Sequence, residues 1–65
     1  MRKLTKADIP EGYVYASVDS DGYAYAYDNR PTLYFKRWIY GGKIVHLGIG
    51  FETTNWTDSL ISIND

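Results

Sequence analysis

Residues 13–27 read YVYASVDSDGYAYAY, and this stretch decides the architecture. Two runs alternate tyrosine with small residues, Tyr13 to Val18 and Tyr23 to Tyr27, on either side of Asp19-Ser20-Asp21-Gly22. Alternation at period two marks a half-buried strand, and two such runs about a turn ending in glycine predict a β-hairpin. Gly22 supplies the left-handed backbone that a type I turn plus bulge demands. A three-residue loop, Ser20 to Gly22, pairs Asp19 with Tyr23, Ser17 with Tyr25 and Tyr15 with Tyr27. The tyrosines then share one face, and Val14, Ala16, Val18, Ala24 and Ala26 share the other. A four-residue loop mixes the two sets, because a slip of one residue reverses every side chain. Segregation favours the shorter loop.

Upstream, Pro10-Glu11-Gly12 is a turn that sets a polar N-terminal arm apart from the first strand. Downstream, Asn29-Arg30-Pro31 ends the hairpin, since Pro31 lacks a ladder donor. Leu33 to Tyr40 (LYFKRWIY) and Lys43 to Leu47 (KIVHL) flank Gly41-Gly42, which predicts a second hairpin with a two-residue loop. Its pairs are Tyr40–Lys43, Ile39–Ile44, Trp38–Val45, Arg37–His46 and Lys36–Leu47. Both faces of that hairpin are mixed, so neither identifies itself as core. Gly48-Ile49-Gly50 predicts a bulge or sharp bend before Phe51. Asn55-Trp56-Thr57-Asp58 has the form of a capping box, which predicts one helical or 3-10 turn over Trp56 to Leu60. Ser59 to Ile63 can instead extend as a short edge strand. The expected fold class is mainly β: a small antiparallel sheet of two consecutive hairpins, four or five strands, with one short C-terminal helical turn. A small β-barrel is the alternative.

Composition bounds the rest. The 65 residues make one domain, 1–65, with no cysteine and a single histidine. A chain of this size buries only roughly 60% of its unfolded surface. With no disulfide and no set of structural metal ligands, it needs an economical sheet or association with further copies. Hydrophobic residues make up 45% and aromatics 17%, at a net charge of −1, which excludes a disordered chain. The sequence lacks an apolar run of membrane-spanning length and a hydrophobic signal stretch, so a soluble cytoplasmic chain is expected.

The net charge hides a segregation. Residues 1–6 carry +3, residues 7–28 carry −5, residues 29–51 carry +4 besides His46, and residues 52–65 carry −3. The basic stretch is also aromatic, and there the chemistry concentrates. Catalysis finds little support: His46 lies mid-strand with no nearby acid, no serine stands at a recognisable spacing from it, and no phosphate-cradling glycine loop occurs. Asp19 and Asp21 begin like a calcium loop but have no glutamate at its end, so a turn explains them. The expectation is a binding protein, not an enzyme, with no cofactor and no metal.

Nucleotides are held by aromatic faces that stack on bases and by cations that pair with phosphates. Arg30, Lys36, Arg37 and Lys43 are the candidate phosphate ligands. Tyr34, Phe35, Trp38 and Tyr40 are stacking candidates, with Tyr23, Tyr25 and Tyr27 as a second aromatic set. The expected ligand site is therefore Arg30, Tyr34, Lys36, Arg37, Trp38, Tyr40, Lys43 and His46. A structural reading competes with it. Strands of a small sheet can simply alternate basic and aromatic residues, and Trp56 can be a core filler. The small basic stretch suits a small anion better than long nucleic acid.

Tyr15-Ala16-Ser17-Val18-Asp19-Ser20-Asp21-Gly22-Tyr23-Ala24-Tyr25-Ala26-Tyr27, with Asn29-Arg30-Pro31 and Asn55-Trp56-Thr57-Asp58-Ser59-Leu60-Ile61, resembles small proteins encoded by tailed bacteriophages. Those share an A-V-D-x-D-G-x-x-Y run, a K-P or R-P turn and a terminal N-W-x-D-S-L-I. The resemblance covers roughly residues 9–62; here Ser17-Val18 stands where a single valine follows alanine. It implies counter-defence work in the host bacterial cytoplasm. One mechanism is similar to anti-CBASS sponges, which sequester a cyclic nucleotide immune signal, commonly between identical subunits; a homodimer or higher homo-oligomer is then expected. The other is similar to anti-CRISPR or anti-restriction proteins, which block a host defence nuclease, with the acidic segment 7–28 facing a basic channel. A structural protein of the virion is the third class.

Overall fold

The computed structural model describes residues 2–35 and 37–64, and its strands run β1 (Tyr15–Val18), β2 (Ala24–Tyr27), β3 (Thr32–Tyr34), β4 (Arg37–Ile39), β5 (Ile44–Gly48) and β6 (Ile61–Ser62). Four of them form one antiparallel sheet in the order β5-β2-β1-β6, and β3 pairs with β4 in a separate two-stranded sheet. The larger sheet is open, so the barrel alternative is set aside. No helix among the described residues is long and apolar enough to cross a membrane.

The first hairpin has the expected register: Tyr15 opposes Tyr27, Ala16 opposes Ala26, Ser17 opposes Tyr25 and Val18 opposes Ala24. The Asp19 N–H donates to the Tyr23 carbonyl at 2.8 Å and the Gly22 N–H to the Asp19 carbonyl at 3.0 Å, which closes the three-residue loop. Gly22 sits at φ +87, and a Cβ there would meet the Phe51 carbonyl oxygen at 3.3 Å. Ala16, Val18, Ala24 and Ala26 are fully buried beneath Leu4 and Phe51, with Val45, Leu47 and Ile61 packed around them. Small side chains on the sheet allow this close approach. The opposite face carries the tyrosines.

The second hairpin departs from expectation. The segment that begins at Leu33 folds back on itself, with Thr32 opposing Ile39, Leu33 opposing Trp38 and Tyr34 opposing Arg37, and Phe35 stands in the turn. Lys43 to Leu47 does not pair with that segment. It joins β2 instead, with Tyr27 opposing Ile44, Ala26 opposing Val45 and Tyr25 opposing His46. The physical reason is burial. Beside β2, the strand places Val45 and Leu47 against the alanine core and Ile44 and His46 on the tyrosine face, which resolves the mixed pattern. Gly41-Gly42 thus links two sheets, and the Tyr40 ring tip lies 2.6 Å from where a Cβ on Gly42 would stand.

The bend expected at Gly48 to Gly50 is present, with the β2–β5 register shifting between Ala24 and Tyr25. Trp56–Asp58 is a 3-10 turn, and Ile61–Ser62 continues as the edge strand, so both C-terminal expectations hold together. The capping box does not form through the Asn55 side chain; the Asp58 N–H donates to the Asn55 backbone carbonyl at 2.9 Å. The N-terminal arm is more than polar. Leu4 enters the core, Arg2 bridges to Phe51, and the Thr5 N–H donates to Asp8 Oδ2 at 3.0 Å around a 3-10 turn at Lys6–Asp8.

Candidate functional site

The β3–β4 hairpin folds over the tyrosine face of the larger sheet and leaves an open cleft of about 280 Å³ between them. Asp19, just after β1, and Tyr25 and Tyr27 of β2 line one side; Arg37, Trp38, Ile39 and Tyr40 line it from the hairpin side, with Ile44 of β5. Two hydrogen bonds hold the hairpin in place. The Trp38 backbone N–H donates to Asp19 Oδ1 at 2.9 Å, and the Trp38 indole Nε1–H donates to the Trp56 carbonyl at 3.3 Å.

Asp19 is the unusual member. Its residue is only 9% exposed, and burial pushes its carboxyl above the ordinary value, as does Asp21. The Trp38 N–H and the Arg37 charge pull in the other direction without cancelling the shift. Tyr27 is buried beside it, and the Ser17 hydroxyl donates to its oxygen at 3.1 Å. Burial pushes the Tyr27 phenol up. Tyr40 stands edge-on to Tyr27 at 5.7 Å, and its hydroxyl donates to Asp28 Oδ1 at 2.7 Å, a bond that raises the phenol's value.

Of the eight expected site residues, the cleft gathers Arg37, Trp38 and Tyr40. Arg30 lies beyond Trp38, in a second depression of about 290 Å³ that it shares with Tyr15, Trp38 and Asp58. Trp38 is thus a partition between two hollows, each with one arginine. Tyr34 is on the outer part of the hairpin, edge-on to Phe35 at 4.5 Å. Lys43 holds its ammonium over the Tyr13 ring at 5.0 Å. His46 packs on Tyr23 at 5.5 Å and Tyr25 at 5.1 Å, touching a cleft residue without lining the cleft. Lys36 lies outside the described residues.

Asp19, Ile39 and Ile44 were not among the expected site residues, and Tyr25 and Tyr27 entered only as a second aromatic set. A signal for Asp19 was present, because the three-residue loop places it opposite Tyr23 on the aromatic face. The acidic segment is also not one free patch: Asp8 pairs with Arg2, Asp19 is buried, and Asp28 accepts from Tyr40. Among the described residues no cluster of three or more metal-ligating side chains occurs. The arrangement offers planar surfaces, one guanidinium and one desolvated carboxylate around a small volume. Comparison with known proteins finds no matching family model, no matching curated protein and no matching solved structure.

Proposed function

We propose that the protein binds, without transforming it, a small planar anion of the nucleotide class in the cleft between the tyrosine face and the β3–β4 hairpin. The observation that carries this reading is the convergence of Tyr25, Trp38 and Tyr40 with Arg37 and Asp19 on one cleft. Aromatic faces suit stacking on a base, Arg37 suits a phosphate, and the Asp19 carboxylate accepts from an exocyclic amine on the base edge. The volume is at the small end for ligand sites, near one nucleotide. A dinucleotide would place its second unit across Trp38, beside Arg30. With the resemblance to small phage proteins, the reading becomes sequestration of a cyclic nucleotide signal of host immunity.

Calorimetry and thermal shift against nucleoside monophosphates and cyclic di- and trinucleotides test this directly. A ligand at 100 times its Kd adds about 2.7 kcal/mol of stability, and Arg37→Ala should remove that gain while the protein stays folded. No stabilisation by any member of the panel overturns the reading.

One observation favours a second reading, a protein-directed inhibitor of a host defence nuclease. Phe35, at the hairpin tip, is 82% exposed beside half-exposed Tyr34. In that case Phe35→Ser should weaken inhibition of the nuclease and leave nucleotide titrations unchanged.

A further inference from the structure

The edge of β5 carries an inference that is independent of the cleft. The Asp28 N–H donates to the Lys43 carbonyl at 3.2 Å, which makes those residues a hydrogen-bonded pair of the β2–β5 ladder. Antiparallel ladders alternate, so Ala26 and Val45 form the next such pair, two residues on. Tyr27–Ile44 and Tyr25–His46 are then the non-bonded pairs, and Ile44 and His46 direct their N–H and C=O groups away from β2. The sheet order ends at β5. The described residues place no strand on that side, and Ile44 is 47% exposed.

Natural edges are blunted by proline, by lysine within the strand or by an early bulge. From Ile44 to His46 β5 has neither proline nor lysine, and its bulge falls only at Leu47, beyond the outward-facing pair; His46 is the only ionisable residue of that stretch. We infer that β5 is the pairing edge for a second copy of this chain, in antiparallel register with Ile44 opposite the partner's His46 and Val45 opposite its own counterpart.

The register follows from the groups on offer. Ile44 facing His46 of the partner subunit, twice by symmetry, satisfies all four outward N–H and all four outward C=O groups of Ile44 and His46 in the pair. Sliding by two residues, to His46 opposite His46, sets Ile44 opposite Gly48, whose groups point inward toward Ala24, and it faces like against like. Sliding by one residue puts the two alanine cores on opposite sides of the joint sheet. The chosen register also suits the charges. The two Lys43 side chains stand four residues apart along the strands, about 13 Å, beyond the screening length of about 8 Å at physiological salt. The contact is isologous and closes at two copies. Both tyrosine faces then join into one surface, with the two clefts flanking the seam at Ile44.

Sedimentation equilibrium of the full chain tests this, with about twice the 7.5 kDa chain mass expected. His46→Pro removes an outward N–H that the protomer's own ladder does not use, and Ile44→Lys blunts the edge while keeping every backbone bond. Both should sediment as monomers with the wild-type far-ultraviolet circular dichroism. Amide exchange adds a readout on the unaltered protein: the Ile44 and His46 amides should be protected in the dimer. A wild type that stays monomeric at millimolar concentration overturns the inference. So does a dimer that survives Ile44→Lys, or one whose Ile44 and His46 amides exchange freely.

Discussion

Asp19 is the residue where structure and chemistry meet, because one carboxylate seats the hairpin and lines the cleft. Its folded-state pKa lies above the ordinary 3.8, so the folded chain holds that proton more tightly than the unfolded chain. The stability this contributes is fully present below about 3.8 and is lost as pH rises through the folded-state value. Asp19→Asn retains an acceptor for the Trp38 N–H and removes that dependence. Urea midpoints of variant and wild type should agree in acid and separate above that window, with the variant the more stable. Asp19→Ala leaves the Trp38 N–H without its acceptor and should cost about 1–3 kcal/mol. The Ser17–Tyr27 pair makes the same point inside the sheet. Tyr27→Phe strands a buried Ser17 hydroxyl, at about 1–3 kcal/mol, and adding Ser17→Ala should restore part of the loss. A double-mutant cycle by urea denaturation reads that coupling.

At the scale of elements, the first hairpin was legible in full, because valine and alanine alternate with tyrosine, or with Ser17, along both runs and Gly22 marks the turn. Gly22→Ala should cost about 1–2 kcal/mol, since alanine is strained at a positive φ and the Phe51 carbonyl leaves no slack; thermal unfolding measures it. The second hairpin was misplaced for a physical reason. Eight consecutive strand-forming residues, Leu33 to Tyr40, carry no turn residue at Phe35, yet Phe35 adopts φ +52. Gly41-Gly42 offered a better local turn, but local preference yielded to the core surface that β5 covers beside β2. Phe35→Asn, which tolerates that conformation better, should raise the midpoint of thermal unfolding slightly. The site was legible in part for the same reason: Arg37, Trp38 and Tyr40 sit on one short segment, whereas Asp19, Tyr25 and Tyr27 meet them only through tertiary folding. The serine in Asn55-Trp56-Thr57-Asp58-Ser59 has a role no spacing rule signalled. Ser59 Oγ accepts the Val18 N–H at 2.9 Å and donates to the Trp56 carbonyl at 2.6 Å, which ties the C-terminal turn to β1.

The whole molecule rests on few large side chains. Tyr27, Phe51 and Val18 are the largest fully buried apolar residues, and the rest of the core is mostly alanine. A domain of 65 residues has about 3–10 kcal/mol of stability to lose. Phe51→Ala should cost about 3–5 kcal/mol and leave a largely unfolded chain, visible as collapse of amide dispersion in the proton spectrum. The route of the chain gives this economy a further meaning. The segment between β2 and β5 departs at Asp28 and returns at Lys43, and those two residues are joined by a backbone hydrogen bond. The β3–β4 hairpin is therefore a cassette with touching ends, inserted between neighbouring strands of the larger sheet. Its length and tip can vary under selection while the alanine core stays as it is. On the proposed reading, a lineage of such proteins would change its ligand by rewriting about a fifth of its chain.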